Sequence, residues 1–266
     1  MTEHATAYAG SIPAQYDSKL GQMFFEPYAR DLARRLPPDA SRVLEIAAGT
    51  GIASRALLSQ LAATASLTVT DLQSGMLVLA SEKVGHDPRV DIQQADALSL
   101  PFADRQYDVV ACQFGVMFFP ETSTALSEAR RVLTPDGVFL LNTWGTLADN
   151  PIAGIVHEEV LRAAPDSPPT FLTIPFGMHD ADALTERLHV AGFSNVQWVV
   201  VDLVGESPSA HAAAMGVICG TPLFTQLQER GIDPRGLVDA VAARLAREGG
   251  FAPMRLPMRA LVFRAQ

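Results

Sequence analysis

Val43-Leu44-Glu45-Ile46-Ala47-Ala48-Gly49-Thr50-Gly51 is a short apolar run that breaks into a glycine-bearing turn, and Ile52, Ala56, Leu57 and Leu61 then recur at helical spacing. The segment reads as strand, tight turn, helix. Such a turn takes residues without bulky side chains, so that the backbone can approach a ligand. Alone it is a weak signal, because strand-to-helix turns occur in many folds. Downstream the alternation repeats. Leu67 to Thr70 is a second strand, followed by a helix bearing Met76, Leu77, Ala80 and Val84. Val90 to Gln94 is a third strand and Asp108 to Phe114 a fourth. A helix over 122–133 carries Ala125, Leu126, Ala129, Val132 and Leu133 on one face, Thr134-Pro135-Asp136-Gly137 has turn composition, and Val138 to Thr143 is a fifth strand. Near-continuous apolar strands separated by helices describe a parallel sheet covered on both faces, with right-handed crossovers.

Upstream, Leu20, Phe24, Tyr28, Leu32 and Leu36 step by four, which predicts a helix over 18–36 stopped by Pro37-Pro38. Beyond Trp144 the pattern loosens. Helices are expected over 151–164 and 180–191, with a Pro-rich loop at 165–178 between them. Val196 to Val204 reads as a long strand, residues 208–248 as helical with breaks near Gly220 and Gly231, and Met258 to Arg264 as a last strand. Two late strands joined by a helical excursion suggest an edge pair with an inserted cap.

The 266 residues are 48% apolar and 18% charged, enough for a sizeable core in one large domain. The net charge of −9 disfavours a polyanionic partner, so no nucleic acid is expected. The densest basic spots are the pairs Arg34-Arg35 and Arg130-Arg131, the latter read beside Glu128 as an ordinary solvated face. Cys112 lies in an apolar run and is expected as a buried thiol. No apolar run reaches the ~18 residues that span a bilayer, and the N-terminus lacks a basic head followed by an apolar stretch, so a cytoplasmic protein is expected. No His/Asp/Glu cluster has metal-ligand spacing, so metal is not expected.

Two acids give the glycine turn company. Asp71 ends the second strand 20 residues after Gly51, where doubly wound folds place an acid on vicinal ribose hydroxyls. Asp96 ends the third strand. One such carboxylate could be a helix cap; three strand ends in register with a glycine turn point to a ligand site.

Here the sequence resembles a known family. VLEIAAGTG at 43–51, LTVTDLQSGML at 67–77, QADALSLPFADRQYDVVACQF at 94–114 and ARRVLTPDGVFLLNTW at 129–144 look like the successive motifs of class I S-adenosylmethionine-dependent methyltransferases. They are similar especially to the branch with the ubiquinone- and menaquinone-biosynthesis enzymes, over roughly residues 40–145. The resemblance implies a Rossmann-like α/β fold with a seven-stranded, mostly parallel sheet in a single domain over 1–266. Its parts would be an N-terminal helical cap over 1–36, a cofactor core over 40–145, and a substrate cap with the last strands over 146–266. It implies S-adenosylmethionine as cofactor. Glu45 would meet the methionine amino group directly or through water, and backbone at Ala47, Gly49 and Gly51 would approach the methionine and ribose. Asp71 would hold the ribose hydroxyls, Leu72 and Met76 would pack on adenine, and Asp96 would take the adenine amino group with Ala97 alongside. Gln113 would lie near the transferred methyl, and Tyr16 would match an aromatic that folds over the cofactor. The family's first turn glycine is Ala47 here. Alanine disfavours positive φ, so ordinary dihedrals are expected there.

Methyl transfer from a sulfonium is an in-line displacement with a neutral leaving group, for which positioning can supply about 7–11 kcal/mol. A base is needed only if the acceptor must first lose a proton. Candidates are His157, His179, His211 and Tyr16, with His179 and His157 first because the segment after the fifth strand should overhang the site; His157 and His189 also read as surface or cap residues on helices. Met23, Phe24, Phe25, Met117, Phe118, Phe119, Phe171, Phe176 and Met178 could line an apolar pocket for a flat acceptor, or simply pack cap on core. The expected partner is thus a small molecule, with the oligomeric state undetermined. Two rivals stand. A nicotinamide-dependent oxidoreductase would use Gly49, Gly51 and Asp71, but position 54 is Ser54 rather than the third glycine. A non-catalytic binding protein would need no intact acids. Nucleic-acid base methylation fits poorly with Cys112-Gln113-Phe114-Gly115 after the fourth strand.

Overall fold

The computed structural model describes residues 17–266. Its strands are β1 (Arg42–Glu45), β2 (Ser66–Asp71), β3 (Val90–Gln94), β4 (Tyr107–Gln113), β5 (Leu133–Trp144), β6 (Val196–Ser207) and β7 (Met254–Ala265), in a seven-stranded sheet of order β3-β2-β1-β4-β5-β7-β6. The pairs β3–β2, β2–β1, β1–β4 and β4–β5 are parallel, and β7 is antiparallel to β5. The chain thus starts in the middle of the sheet at β1, winds outward to β3, and returns to β4 on β1's other side. That reversal opens a crevice at the C-terminal strand ends, where open α/β sheets take ligands.

The chain divides into two compact units. One comprises Tyr28–Trp144, Met178–Val201 and Ala260–Gln266, the other Gly145–Gly177 and Asp202–Arg259 with the described part of Met1–Pro27. In the first, helices α1 (Glu26–Ala33), α2 (Ile52–Gln60), α3 (Ser74–Val84) and α4 (Thr122–Val132) flank the strands, with α5 (Ala181–Val190) further along the chain. The central strands β1, β2, β4 and β5 are mostly buried, as expected where helices cover both faces, whereas β3 and β6 at the sheet edges are largely half-buried or exposed. Val43, Leu67, Val69, Val109, Ala111, Leu140 and Val262 share a buried core with Leu32, Leu57 and Ala80.

Several boundaries differ from the sequence reading. The first helix stops at Ala33, not residue 36, and holds a π-helical turn at Gly21–Phe25. Arg35 and Leu36 instead bond back to Leu32 and Ala33 in tight turns, since a residue before proline is pushed out of the helical region. Strand β5 starts at Leu133: Tyr107 pairs with Leu133 and Val109 with Val138, so the turn at 134–137 bulges from a ladder that continues on both sides. Strand β7 starts at Met254 and slots between β5 and β6.

Arg131 is a correction. Instead of facing solvent, its guanidinium bonds Glu128 (2.7 Å), Asp104 (2.8 Å) and the carbonyls of Leu100 (2.9 Å) and Phe102 (2.7 Å). Glu128 in turn accepts from the Leu100 N–H at 2.8 Å, and its carboxyl is held below its usual range by Arg131. This cluster pins the segment that follows Asp96. Its neighbour Arg130 sits over the Phe193 ring at 5.8 Å.

The second unit is mainly helical, with α6 (Pro151–Ala163), α7 (Ala210–Cys219), α8 (Leu223–Glu229) and α9 (Pro234–Gly249). Ile152, Val156, Ala213, Val217, Val241 and Leu245 are buried in it. Arg244 bridges Glu158 (2.8 Å) and Glu159 (3.0 Å), and Arg259 bridges Asp149 (2.9 Å) and Asp202 (2.7 Å). Among the described residues no helix is long and apolar enough to cross a membrane.

Candidate functional site

The register fixes the site. Glu45 is level with Val69 on β2 and with Ala111 on β4. Asp71 and Gln113 each lie two residues further along, so they flank the turn after β1 from either side, two strand spacings or about 10 Å apart. Gln94 pairs with Asp71, which brings Asp96 to the same edge on the next strand out. The acids expected at neighbouring strand ends therefore share one edge of the sheet.

The turn itself is held by both neighbouring strands. Ile46 N–H donates to Ala111 O at 2.9 Å, while Ala48 N–H donates to Thr70 O at 2.9 Å. The chain changes partner across Ala47, and to do so Ala47 takes φ 52°. The expectation of ordinary dihedrals is thus wrong. The two flanking bonds impose the left-handed conformation, and its methyl is accommodated because residue 115 is glycine: a Cβ on Gly115 would lie 2.6 Å from that of Ala47. A non-glycine residue in this region costs about 1–2 kcal/mol. Ala47→Gly is therefore expected to raise stability by up to about 1 kcal/mol, after the looser unfolded chain is counted. A urea midpoint that rises at constant m checks it.

Gly49 and Gly51 have different reasons for being glycine. Gly49 has φ 57° and open space where a side chain would stand. Gly51 has φ 80°, and a Cβ there would sit 2.8 Å from Ala80 Cα on α3. Gly51 therefore serves helix packing, and Gly49 is the position that leaves room for a ligand. Lys83 Nζ donates to Thr50 O at 2.7 Å and fixes the turn from α3.

Asp71 is nearly buried; its carboxylate accepts from Gly49 N–H and from Gln73 N–H, both at 2.8 Å. Burial raises its pKa, against the lowering effect of those backbone donors. It thus braces the turn, and a carboxylate accepting two bonds still has lone pairs to offer. Glu45 is buried, and neither carboxylate oxygen has a hydrogen-bond partner among the described residues. Burial pushes its carboxyl up to about 8, opposed by the nearby Ser54 hydroxyl and reinforced by the charge of Asp71. An unmatched acid in this position fits an ammonium group brought by a ligand.

Asp96 is exposed, with Oδ1 accepting from Leu98 N–H at 2.9 Å, and Ala97 is buried beside it. On the α3 side, Leu72 is 44% exposed, an apolar side chain left open at the strand end, while Met76 is buried at the start of α3. Gln113 is half-buried at the end of β4. Tyr16 lies outside the described residues. Buried Cys112 has its thiol pushed up to about 12 by burial, with no disulfide.

The histidines are dispersed. His179 and His211 are exposed, and His189 Nδ1 lies 2.8 Å from Phe193 O, a helix-end cap on α5. His157 is half-buried on α6, with Nδ1 unpartnered among the described residues. Met23, Phe24, Met117, Phe171 and Phe176 are buried, while Phe25, Phe118, Phe119 and Met178 are half-buried. Among the described residues no group of three His, Cys, Asp or Glu could hold a metal ion. Sequence reasoning missed Ser54, Gly115 and Asn142. The only signal for Ser54 was that it stands where a dinucleotide fingerprint has its third glycine.

Residues 44–141 match a family described as a methyltransferase domain. The chain is 30% identical over 203 residues to a demethylmenaquinone methyltransferase of Mycobacterium marinum, covering 73% of this chain and 83% of that protein. It is 36% identical over 110 residues to a demethylmenaquinone methyltransferase of Clavibacter sepedonicus, an alignment spanning 41% of this chain and 44% of the relative. The fold resembles a Haemonchus contortus phosphoethanolamine N-methyltransferase 2 solved with S-adenosyl-L-methionine. That match has a TM-score of 0.59 at 18% identity and covers 96% of this chain and 56% of the other.

Proposed function

The chain belongs to the class I S-adenosylmethionine-dependent methyltransferases, in the branch of the demethylmenaquinone methyltransferases, and from that premise we propose that it methylates a small, flat, apolar or aromatic acceptor at the sheet edge just described. The observation that supports this best is the pairing of an unmatched buried acid, Glu45, with open space at Gly49 and a braced Asp71.

S-adenosylmethionine, when bound, supplies an electrophilic methyl whose sulfur leaves neutral. The chain's own residues then have mainly to bind and orient. Glu45 takes the α-ammonium, directly or through water, and Asp71 takes the ribose hydroxyls while continuing to hold Gly49 and Gln73. Asp96 takes the adenine amino group with Ala97 alongside, Leu72 and Met76 cover the base, and Gln113 faces the methyl end. Tyr16 is assigned to the cofactor cover. Alignment and exclusion of water carry the rate, so no residue need develop or stabilise an anion on the leaving side. The relatives are named for demethylmenaquinone, which fits an aromatic acceptor. A single domain, a cytoplasmic location and no nucleic-acid partner complete the reading.

The experiment is a calorimetric titration with S-adenosylhomocysteine beside NADH. Stoichiometric binding of the first alone supports the reading; binding of NADH alone overturns it. Asp71→Ala should weaken S-adenosylhomocysteine by about 1.5–3 kcal/mol, a bond to a charged group lost. Unchanged affinity would remove Asp71 from the site.

A further inference from the structure

Beside Ala47, a second non-glycine residue at this sheet edge has left-handed backbone: the buried Phe114, at the exit of β4, has φ 51°. A bulky aromatic rarely adopts it, and such residues persist only where their surroundings impose them. What imposes it is Asn142, which pairs with Gln113 across β4 and β5. Phe114 N–H donates to Asn142 Oδ1 at 2.9 Å and to the Asn142 carbonyl at 3.3 Å. Asn142 is fully buried and its Nδ2 has no partner among the described residues. A buried amide with its donor half unmet is poorer for stability than an apolar residue of the same size. The half it does use goes to Phe114.

The consequences of the turn lie next to Ala47. Gly115 is brought onto the Ala47 methyl, where a Cβ would stand 2.6 Å away, and onto Cys112 Sγ at 2.9 Å. The Phe114 ring stacks on Trp144 at 3.8 Å and 5°, and Tyr28 meets both edge-on at 5.4 Å. Tyr28 is itself tied by its hydroxyl to Val201 O at 3.2 Å.

We propose that Asn142 is a positioning residue of the methyl-transfer site: through Phe114 N–H it locks the exit of β4, and so fixes Gln113, the contact of Gly115 with Ala47, and the Phe114–Trp144 stack as one rigid wall. The proposal rests on the cofactor reading above. It adds that the two strained turns after β1 and β4 are coupled, so that loosening one displaces the other from the cofactor's methionine end. Displacements of about 1 Å at such a site are costly to orientation.

The chain has two tryptophans, Trp144 and Trp198, so a Trp198→Phe parent reports on Trp144 alone. In that parent, Asn142→Leu keeps the size and removes the acceptor, while Asn142→Asp retains an acceptor oxygen. The expected result is an S-adenosylhomocysteine affinity about tenfold or more weaker in Asn142→Leu, with Trp144 emission altered before ligand is added. Asn142→Asp should recover most of both. A purely structural Asn142 would change the unfolding midpoint and the Trp144 emission and leave affinity alone. A folded Asn142→Leu that binds within twofold of the parent overturns the proposal, whatever its emission. If that variant does not fold, Asn142→Ser, whose hydroxyl is too short to reach the Phe114 N–H, is read by the same criteria. A parent that binds no S-adenosylhomocysteine fails the cofactor reading itself, and the proposal with it, which separates the two failures.

Discussion

Glu45→Gln should melt higher than the unsubstituted protein at pH 8 and yet bind S-adenosylhomocysteine 10- to 100-fold more weakly. The first half follows from burial. The Glu45 carboxyl in the folded chain is pushed up to about 8 from an ordinary value of 4.5. Between those values the folded protein keeps a proton that the unfolded chain releases. Stability therefore falls as pH rises through the window, and the loss is complete above the folded pKa. At roughly 1.4 kcal/mol per pKa unit, the loss is on the order of a few kcal/mol. Glutamine has no proton to lose, so its pH profile should be flat where the parent's descends, with a Tm roughly 5 °C or more higher at pH 8. Near pH 4 the two should converge. The second half follows from the bond proposed between this carboxylate and the cofactor's ammonium, a charge-assisted bond of roughly 1.5–3 kcal/mol. Because that bond needs the ionised acid, parental affinity should rise from pH 6 to pH 8 while the variant's stays level. Thermal melts and titrations across that range check both halves.

Gly51→Ala should lower stability by about 2–5 kcal/mol. Two costs combine: left-handed backbone at φ 80°, and a methyl 2.8 Å from Ala80 Cα and 2.9 Å from its Cβ. The first costs about 1–2 kcal/mol and the second, as overpacking against backbone that cannot rotate away, about 1–3 kcal/mol. Gly49→Ala carries only the first cost, since nothing stands within 4 Å of its added methyl. That methyl would occupy the open space assigned to the ligand. The pair should therefore split: Gly51→Ala loses stability most, and Gly49→Ala loses cofactor affinity out of proportion to stability. Urea unfolding and S-adenosylhomocysteine titration on both variants test this. Equal destabilisation would remove the distinction between the two glycines.

That distinction marks where sequence reasoning stopped. Strand-turn-helix at 43–61 and acids at the ends of β2 and β3 were legible because period, chain order and polarity are local properties. Why each glycine is a glycine was not, because Ala80 lies 29 positions from Gly51 and reaches it only through the packing of α3. Ala47 was misjudged for a related reason. Propensity argued against positive φ, but bonds from β4 and β2 on either side of the residue overrode it. Asn142 gave no signal at all, sitting in an apolar strand run where a polar residue passes for an exception. Arg131 looked solvated because helical periodicity placed it beside Glu128, whereas its other partners come from the loop after β3. Positions that follow from chain order at a strand's own end could be read; contacts made through a neighbouring strand or helix could not.

The most direct measurement is a crystal structure with S-adenosylhomocysteine bound. The ribose hydroxyls should lie within hydrogen-bond distance of Asp71, the adenine amino group at Asp96, and the α-ammonium within reach of Glu45, directly or through one water. A nucleoside bound away from the C-terminal ends of β1, β2 and β3, or one that leaves Glu45 unmatched, would contradict the assignment.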